Sequence, residues 1–252
     1  MILAIDIGNS DIVFGWYQAQ EWTHQLRVPV EAYLEVSIRL GDFMRENELG
    51  ENGLEQIVLS SVVSGITPTV KNQVELLLKK AVTQLGPALF EQLNLGIDNT
   101  AEIGSDLVAN AVAGFSRFQS STIVVDFGTA LTFTVIGPQG HIRGVTIAPG
   151  LGTAMRALAS NTAQLPQVPL ELPASAIGTT TPHALQAGIM LGYVGLVNEL
   201  LDRMEEELGT KPKVIATGGL ARKLTPLATR FDLIDPWLTL DGIRQVGDLA
   251  RG

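Results

Sequence analysis

An apolar run that ends in Asp-x-Gly and returns through a tight turn occurs twice in this chain, 120 residues apart. The first copy is Ile2 to Ile5, then Asp6-Ile7-Gly8-Asn9-Ser10-Asp11, then Ile12 to Tyr17. The second is Ile123-Val124-Val125, then Asp126-Phe127-Gly128-Thr129-Ala130, then Leu131 to Ile136. Superposed, Asp6 meets Asp126, Gly8 meets Gly128 and Asn9 meets Thr129. β-Branched flanks around a glycine turn read as paired strands. A strand–turn–strand unit repeated within 252 residues implies two lobes, each within the usual size of a domain. Their border is expected in the short polar stretch Phe118 to Thr122, giving lobes 1–118 and 119–252.

Other segments fill in the lobes. Val30 to Glu48, Thr67 to Leu85 and Thr100 to Arg117 have helical periodicity, the second opening on Thr67-Pro68 and the third burying Val108, Ala111, Val112 and Phe115 on one face. Gln56 to Val63 reads as a strand. Val214-Ile215-Ala216-Thr217-Gly218-Gly219 is a looser echo of the repeated motif. Thr180 to Leu208 reads as one long helical region and Asp241 to Ala250 as a last helix. Met190, Leu191, Val194 and Leu196 read as core or dimer contacts, and Arg203 to Glu207 as a solvated helix face.

Composition removes several function classes. The chain has no Cys, so thiolate metal sites, iron–sulfur clusters and a Cys nucleophile are out, and a reducing compartment such as the cytoplasm fits. A formal charge of −9 argues against a phosphate-backbone binder, so nucleic acid is not expected as a partner. The uncharged stretch near Gly188 to Val197 is too short and glycine-rich for a membrane span, and the N-terminus lacks a basic region before its short apolar run. His24, His141 and His183 have no metal-ligand spacing, and Trp22 and Trp237 look isolated.

The repeated motif suits phosphate chemistry. A glycine turn lets backbone N–H groups converge on an anion. The carboxylate before it acts through a cation, and Mg²⁺ is the hard partner of carboxylate and phosphate oxygens. Two such turns facing one another would clamp a triphosphate, which suits a reaction that depends on positioning and charge neutralisation. One such turn alone is usually an ordinary hairpin; two in register are harder to dismiss. Neither G-x-x-x-x-G-K-[ST] nor G-x-G-x-x-G is present.

Six stretches, in order, resemble the type III pantothenate kinases of the actin, hexokinase and acetate kinase superfamily. They are Asp6-Ile7-Gly8-Asn9-Ser10, Gly104-Ser105-Asp106, Asp126 through Thr132, Ile147-Ala148-Pro149-Gly150-Leu151, Thr162 to Pro166, and Ile177 to Thr181 continuing through Gly192-Tyr193-Val194-Gly195. The resemblance implies an α/β fold of two ribonuclease-H-like lobes with mixed sheets flanked by helices. It implies a transferase that phosphorylates pantothenate with ATP, the first step of coenzyme A synthesis, using Mg²⁺ and a monovalent cation (K⁺ or NH₄⁺). It also implies a cytoplasmic homodimer whose interface helps form the acceptor pocket. Position by position, Asp6, Ile7, Gly8, Asn9, Ser10, Asp11, Ile12 and Val13 would form the ATP phosphate loop, with Asp6 toward the metal. Asp106 would be the general base, Asp126 the monovalent-cation ligand and Thr129 an ATP contact. Ile97, Gly104, Ser105, Asp106, Leu107 and Thr181 would meet the acceptor.

Asp106 also fits the residues alone, as an acid in the first turn of a helix, where an anion is favoured. A plain helix-terminal acid is the other reading, and Glu102 is a second acid nearby. The chain departs from the family at two places: Leu107 stands where Arg is usual, and Ile97-Asp98-Asn99-Thr100 replaces a Tyr-x-Asn-Pro-like stretch. Both losses fall on the acceptor side. They keep open a kinase of another small hydroxyl metabolite, or a non-catalytic nucleotide-binding regulator.

Overall fold

The computed structural model describes residues 1–50, 53–97 and 99–250. Asp98, part of the divergent acceptor-side stretch, lies outside them. The chain forms two compact units, Met1–Ala113 joined by the chain from Trp237, and Gly114–Pro236.

In the first unit β1 (Ile2–Ile7), β2 (Asp11–Gln18) and β3 (Glu21–Pro29) form an antiparallel meander. A short 3₁₀ segment leads into α1 (Val36–Glu46). Then come β4 (Gln56–Ser61), α2 (Thr67–Leu78), β5 (Val82–Gln84) and the one-turn α3 (Pro87–Phe90). β4 lies parallel to β1 and β5 parallel to β4, so the sheet order is β3-β2-β1-β4-β5. Leu3, Ile5, Ile7, Ile12, Phe14, Trp16, Ile57 and Leu59 are fully buried in its core. The helix expected to run to Leu85 stops earlier because Lys79 turns left-handed (φ 48°), and Val82 to Gln84 then pair with β4 instead.

α4 (Ser105–Phe118) crosses from one unit to the next. It starts at Ser105, not Thr100, since the Gly104 carbonyl takes the first helical bond, from Val108 N–H at 3.1 Å. The second unit repeats the first. β6 (Thr122–Phe127), β7 (Ala130–Ile136) and β8 (Ile142–Pro149) form the meander. After α5 (Leu151–Ser160) and a long helical passage come β9 (Lys213–Thr217) and β10 (Leu233–Ile234), parallel to β6 and to each other in turn. From its far edge the order is β8-β7-β6-β9-β10, strand for strand the pattern of the first sheet. Mixed sheets flanked by helices, made twice, are the expected α/β class.

The helical passage is α6 (Thr181–Gln186), a π turn at Ala187–Leu191 and α7 (Gly192–Leu208). Thr180 caps it, its Oγ1 accepting from His183 N–H at 3.4 Å. By length and composition alone these 28 residues could cross a membrane. Their apolar face instead joins the second core through Leu185, Ile189, Met190, Tyr193, Val197 and Leu201.

The C-terminal helix α8 (Leu238–Leu249) belongs to the first unit, a departure from the lobe border expected near residue 118. Contacts within that unit hold it. Gln56 Nε2 donates to the Gly247 carbonyl at 2.7 Å, Thr239 Oγ1 donates to Asn110 Oδ1 at 2.8 Å, and Trp237 stacks on Trp22 with centroids 5.4 Å apart. The two tryptophans that look isolated in sequence are therefore partners.

Candidate active site

The first Asp-x-Gly turn is closed by Gly8 N–H donating to the Asp11 carbonyl at 3.0 Å, and Ser10 accepts from Val30 N–H at 2.9 Å. Asn9 is exposed, while Gly8, Ser10 and Asp11 are half-buried. Ile7 and Ile12 are fully buried and Val13 nearly so, so these three can offer a nucleotide only their backbone. Asp6 is half-buried at the end of β1, opposite Val13 on one side and Ser60 of β4 on the other. In sheets of this kind ligands gather at the carboxyl ends of strands where neighbouring connections diverge.

The same strand end meets the start of α4. Ser60 Oγ lies 2.8 Å from Ser105 Oγ, which also accepts from Ser61 N–H and donates to the Ser61 carbonyl, both at 3.1 Å. Asp106 follows directly. Register and hydrogen bonds thus bring Asp6, Ser60, Ser105 and Asp106 into one neighbourhood of the first unit. Burial raises the Asp106 carboxyl above the ordinary carboxylate value, opposed by the backbone N–H of Leu107, which donates to Oδ1 at 2.8 Å, and by its own N–H. A Cβ on Gly104 would sit 2.5 Å from Asp106 Oδ1, so this glycine leaves the carboxylate its room. A half-buried acid on a helix N-terminus, with its basicity increased, can accept a proton. Leu107 is half-buried beside it, and Ile97 is half-buried on the preceding loop.

In the second unit Asp126 lies near the end of β6, opposite Thr132 and, on β9, Thr217. The second turn is one residue shorter than the first, with Gly128 N–H donating to the Ala130 carbonyl at 3.1 Å. Thr129 is half-buried. Its carbonyl accepts from Gly150 N–H at 3.0 Å and from Thr153 Oγ1 at 2.7 Å, and Gly150 comes too near the Gly128 and Thr129 carbonyls to carry a Cβ. Tyr193 OH donates to the Pro149 carbonyl at 2.6 Å, and burial raises its phenol. Gly218, at φ +89°, lies where a Cβ would come 2.6 Å from Asp126 Oδ1. Thr217, Gly218, Gly150, Thr153 and Tyr193 thus surround this turn without having been assigned a part in it. The signals were the strand echo ending in Gly218-Gly219 and the Pro149-Gly150 pair. Thr181 is exposed on an open, largely apolar groove of about 700 Å³ with Leu158, Leu165, Leu185 and Ile189.

Among the described residues no three His, Asp or Glu side chains cluster as a metal cage. The donor set suits Mg²⁺, which keeps several waters and binds through one or two carboxylates plus substrate phosphates; Asp6 is such a carboxylate.

Residues 2–203 match the family model for type III pantothenate kinase. A type III pantothenate kinase of Citrifermentans bemidjiense is 37% identical over 247 residues, 97% of each chain. Among solved structures, a conserved putative Baf family transcriptional activator from Campylobacter jejuni superposes with a TM-score of 0.62 at 19% identity, covering 99% of this chain and 98% of that one. An inorganic polyphosphate/ATP-glucomannokinase from Arthrobacter sp. strain KM does so with a TM-score of 0.51 at 14% identity, covering 99% and 98%.

Proposed function

We propose a division of labour for a chain that belongs to the type III pantothenate kinase family and transfers the γ-phosphoryl group of ATP to pantothenate in the first step of coenzyme A synthesis. Asp106 takes the proton of the acceptor hydroxyl as its oxygen forms the new bond to phosphorus. The bond to the ADP oxygen breaks, leaving ADP and 4′-phosphopantothenate. The observation that carries this reading is the Asp106 carboxylate itself. It is made more basic by burial, is held by Leu107 N–H, and sits one hydroxyl link from the strand next to Asp6.

The loop from Gly8 to Val13 offers backbone N–H groups to the phosphates, and Asp6 is the carboxylate for Mg²⁺. Bound there with the phosphates, Mg²⁺ supplies neutralisation of developing negative charge. Asp126 holds the monovalent cation, and Thr129, its carbonyl braced by Gly150 and Thr153, contacts ATP. Thr181, Ile97 and the Gly104–Leu107 turn serve the acceptor.

The reading includes a homodimer working in the cytoplasm. The sequence's lack of Cys fits that compartment. For the dimer, the support is a row of exposed glycines, Gly188, Gly192 and Gly195, with no described atom beyond the adjoining chain and the helix's own backbone within 4 Å of where a Cβ would stand. Another helix could approach such a face closely. The test is ADP release by purified protein with ATP, Mg²⁺ and K⁺, comparing pantothenate with a panel of small alcohols. Release dependent on pantothenate supports the assignment; release with another alcohol and not with pantothenate overturns the acceptor.

A further inference from the structure

Ser105 is 7% exposed, and its hydroxyl bonds to the end of strand β4. It makes three contacts there: Ser60 Oγ at 2.8 Å, and Ser61 N–H and the Ser61 carbonyl at 3.1 Å each. Ser60 is fully buried and is the register partner of Asp6 across β1 and β4. Ser61 is pinned in turn: its Oγ lies 2.7 Å from Thr67 Oγ1 and accepts from Val63 N–H at 3.1 Å, while Thr67 Oγ1 donates to the Val63 carbonyl at 2.7 Å. The first turn of α4 is therefore fastened to the end of β4 by a closed set of hydroxyl and backbone bonds. Behind it, Asn110 is tied to α8 through Thr239.

We propose that Ser105 is a positioning residue. It fixes the helix turn that carries Asp106 against the strand beside Asp6, and so sets where the base stands relative to the phosphate loop. Asp106 is the next residue along, and its Oδ1 is held by Leu107 N–H on the same turn, so any shift of that turn carries the carboxylate with it. Catalytic groups lose rate steeply on displacement of about 1 Å. Replacing Ser105 by Ala leaves Ser61 N–H and Ser60 Oγ short of a partner inside the protein, which favours a rearranged turn. This inference rests on the assignment of Asp106 as the base.

The experiment measures kcat and both KM values for Ser105→Ala, Ser60→Ala, Asp106→Asn and the double variant Ser105→Ala/Asp106→Asn, with folding checked by circular dichroism. Ser105→Ala is expected to lower kcat about tenfold to a hundredfold, with the KM for ATP within about twofold of the parent. Ser60→Ala should show a smaller loss of the same kind, and it carries the test if Ser105→Ala does not fold. In the Asp106→Asn background, adding Ser105→Ala should change kcat by less than about twofold, because its effect passes through the carboxylate. Full multiplication of the two losses overturns the proposal. So does a Ser105→Ala protein with unchanged kcat, or one whose only change is a raised pantothenate KM, which would make Ser105 a direct acceptor contact. Retention of activity by Asp106→Asn instead refutes the base assignment.

Discussion

Replacing Asp106 by Asn separates catalysis from stability, and the two should move in opposite directions. The amide keeps the shape of the carboxylate, and its carbonyl oxygen can still accept the 2.8 Å bond from Leu107 N–H. What it loses is the ability to take a proton. Loss of a general base costs about 10²–10⁴ in rate, or about 3–5 kcal/mol of barrier. Burial raises the Asp106 carboxyl above its ordinary value of 3.8. The folded chain thus binds this proton more tightly than the unfolded chain does. Stability falls as pH rises through the window between the unfolded value and the raised folded one, and above that window the wild type bears the full cost of the buried charge. The neutral amide does not bear it. Asp106→Asn should therefore be slower by two to four decades in a coupled ADP assay, yet melt at a higher temperature at pH 7.5. Its rate should also lack the acid-side fall expected of the wild type as the Asp106 carboxyl, raised by burial, takes up its proton. A variant of near-parental rate refutes the base, and a clearly lower melting temperature refutes the account of the buried charge.

Replacing K⁺ by Na⁺ or Tris should lower kcat sharply if Asp126 holds a monovalent ion; equal rates in all three salts would count against it. Gly218→Ala forces a left-handed residue and a Cβ 2.6 Å from Asp126 Oδ1 and 2.7 Å from the Phe127 backbone; thermal melts should show a loss exceeding the roughly 1–2 kcal/mol of the left-handed backbone alone, and K⁺ titration a higher half-saturation point. If the Gly104–Leu107 turn meets the acceptor as proposed, Leu107→Arg would offer its carboxylate a forked cation, so the pantothenate KM should fall while that for ATP stays put; steady-state kinetics in both substrates decides. Light scattering at micromolar concentration should give about twice 26.9 kDa; a monomer removes the proposed contribution of the glycine face.

The parts of the fold visible in the sequence were those with local signatures. Apolar runs bounded by glycine turns gave β1, β2, β6 and β7, and the spacing of Val108 and Ala111 gave α4. What stayed hidden depends on partners distant in the chain. β3 is the edge strand of its sheet with only Val28 fully buried, and its Trp22 finds Trp237 more than two hundred residues on. β5 is three residues long and is a strand only because β4 lies beside it. The return of α8 to the first unit rests on Gln56, Asn110 and Trp22, none of which advertises a helix from the far end of the chain. The candidate site divides in the same way. Its carboxylates stand in short motifs, whereas Ser60, Thr153 and Tyr193 acquire their roles by folding.

The duplicated sheets also show why two copies of one turn need not do the same work. Each puts a carboxylate at the end of its central strand, opposite a buried hydroxyl residue on the parallel neighbour: Asp6 with Ser60, Asp126 with Thr217. From that shared register the copies diverge. In the first, the neighbouring strand ends in two serines whose hydroxyl and backbone groups reach Ser105 and fasten a helix that carries another acid. In the second, the neighbouring strand is followed at once by two glycines, and Gly218 closes against Asp126 itself. A scaffold that gives both carboxylates the same backbone position thus gives them different surroundings through one choice, serine or glycine, at the end of the adjacent strand. That difference in surroundings is what the proposed division of labour would use, with a base organised beside one copy and a cation held at the other.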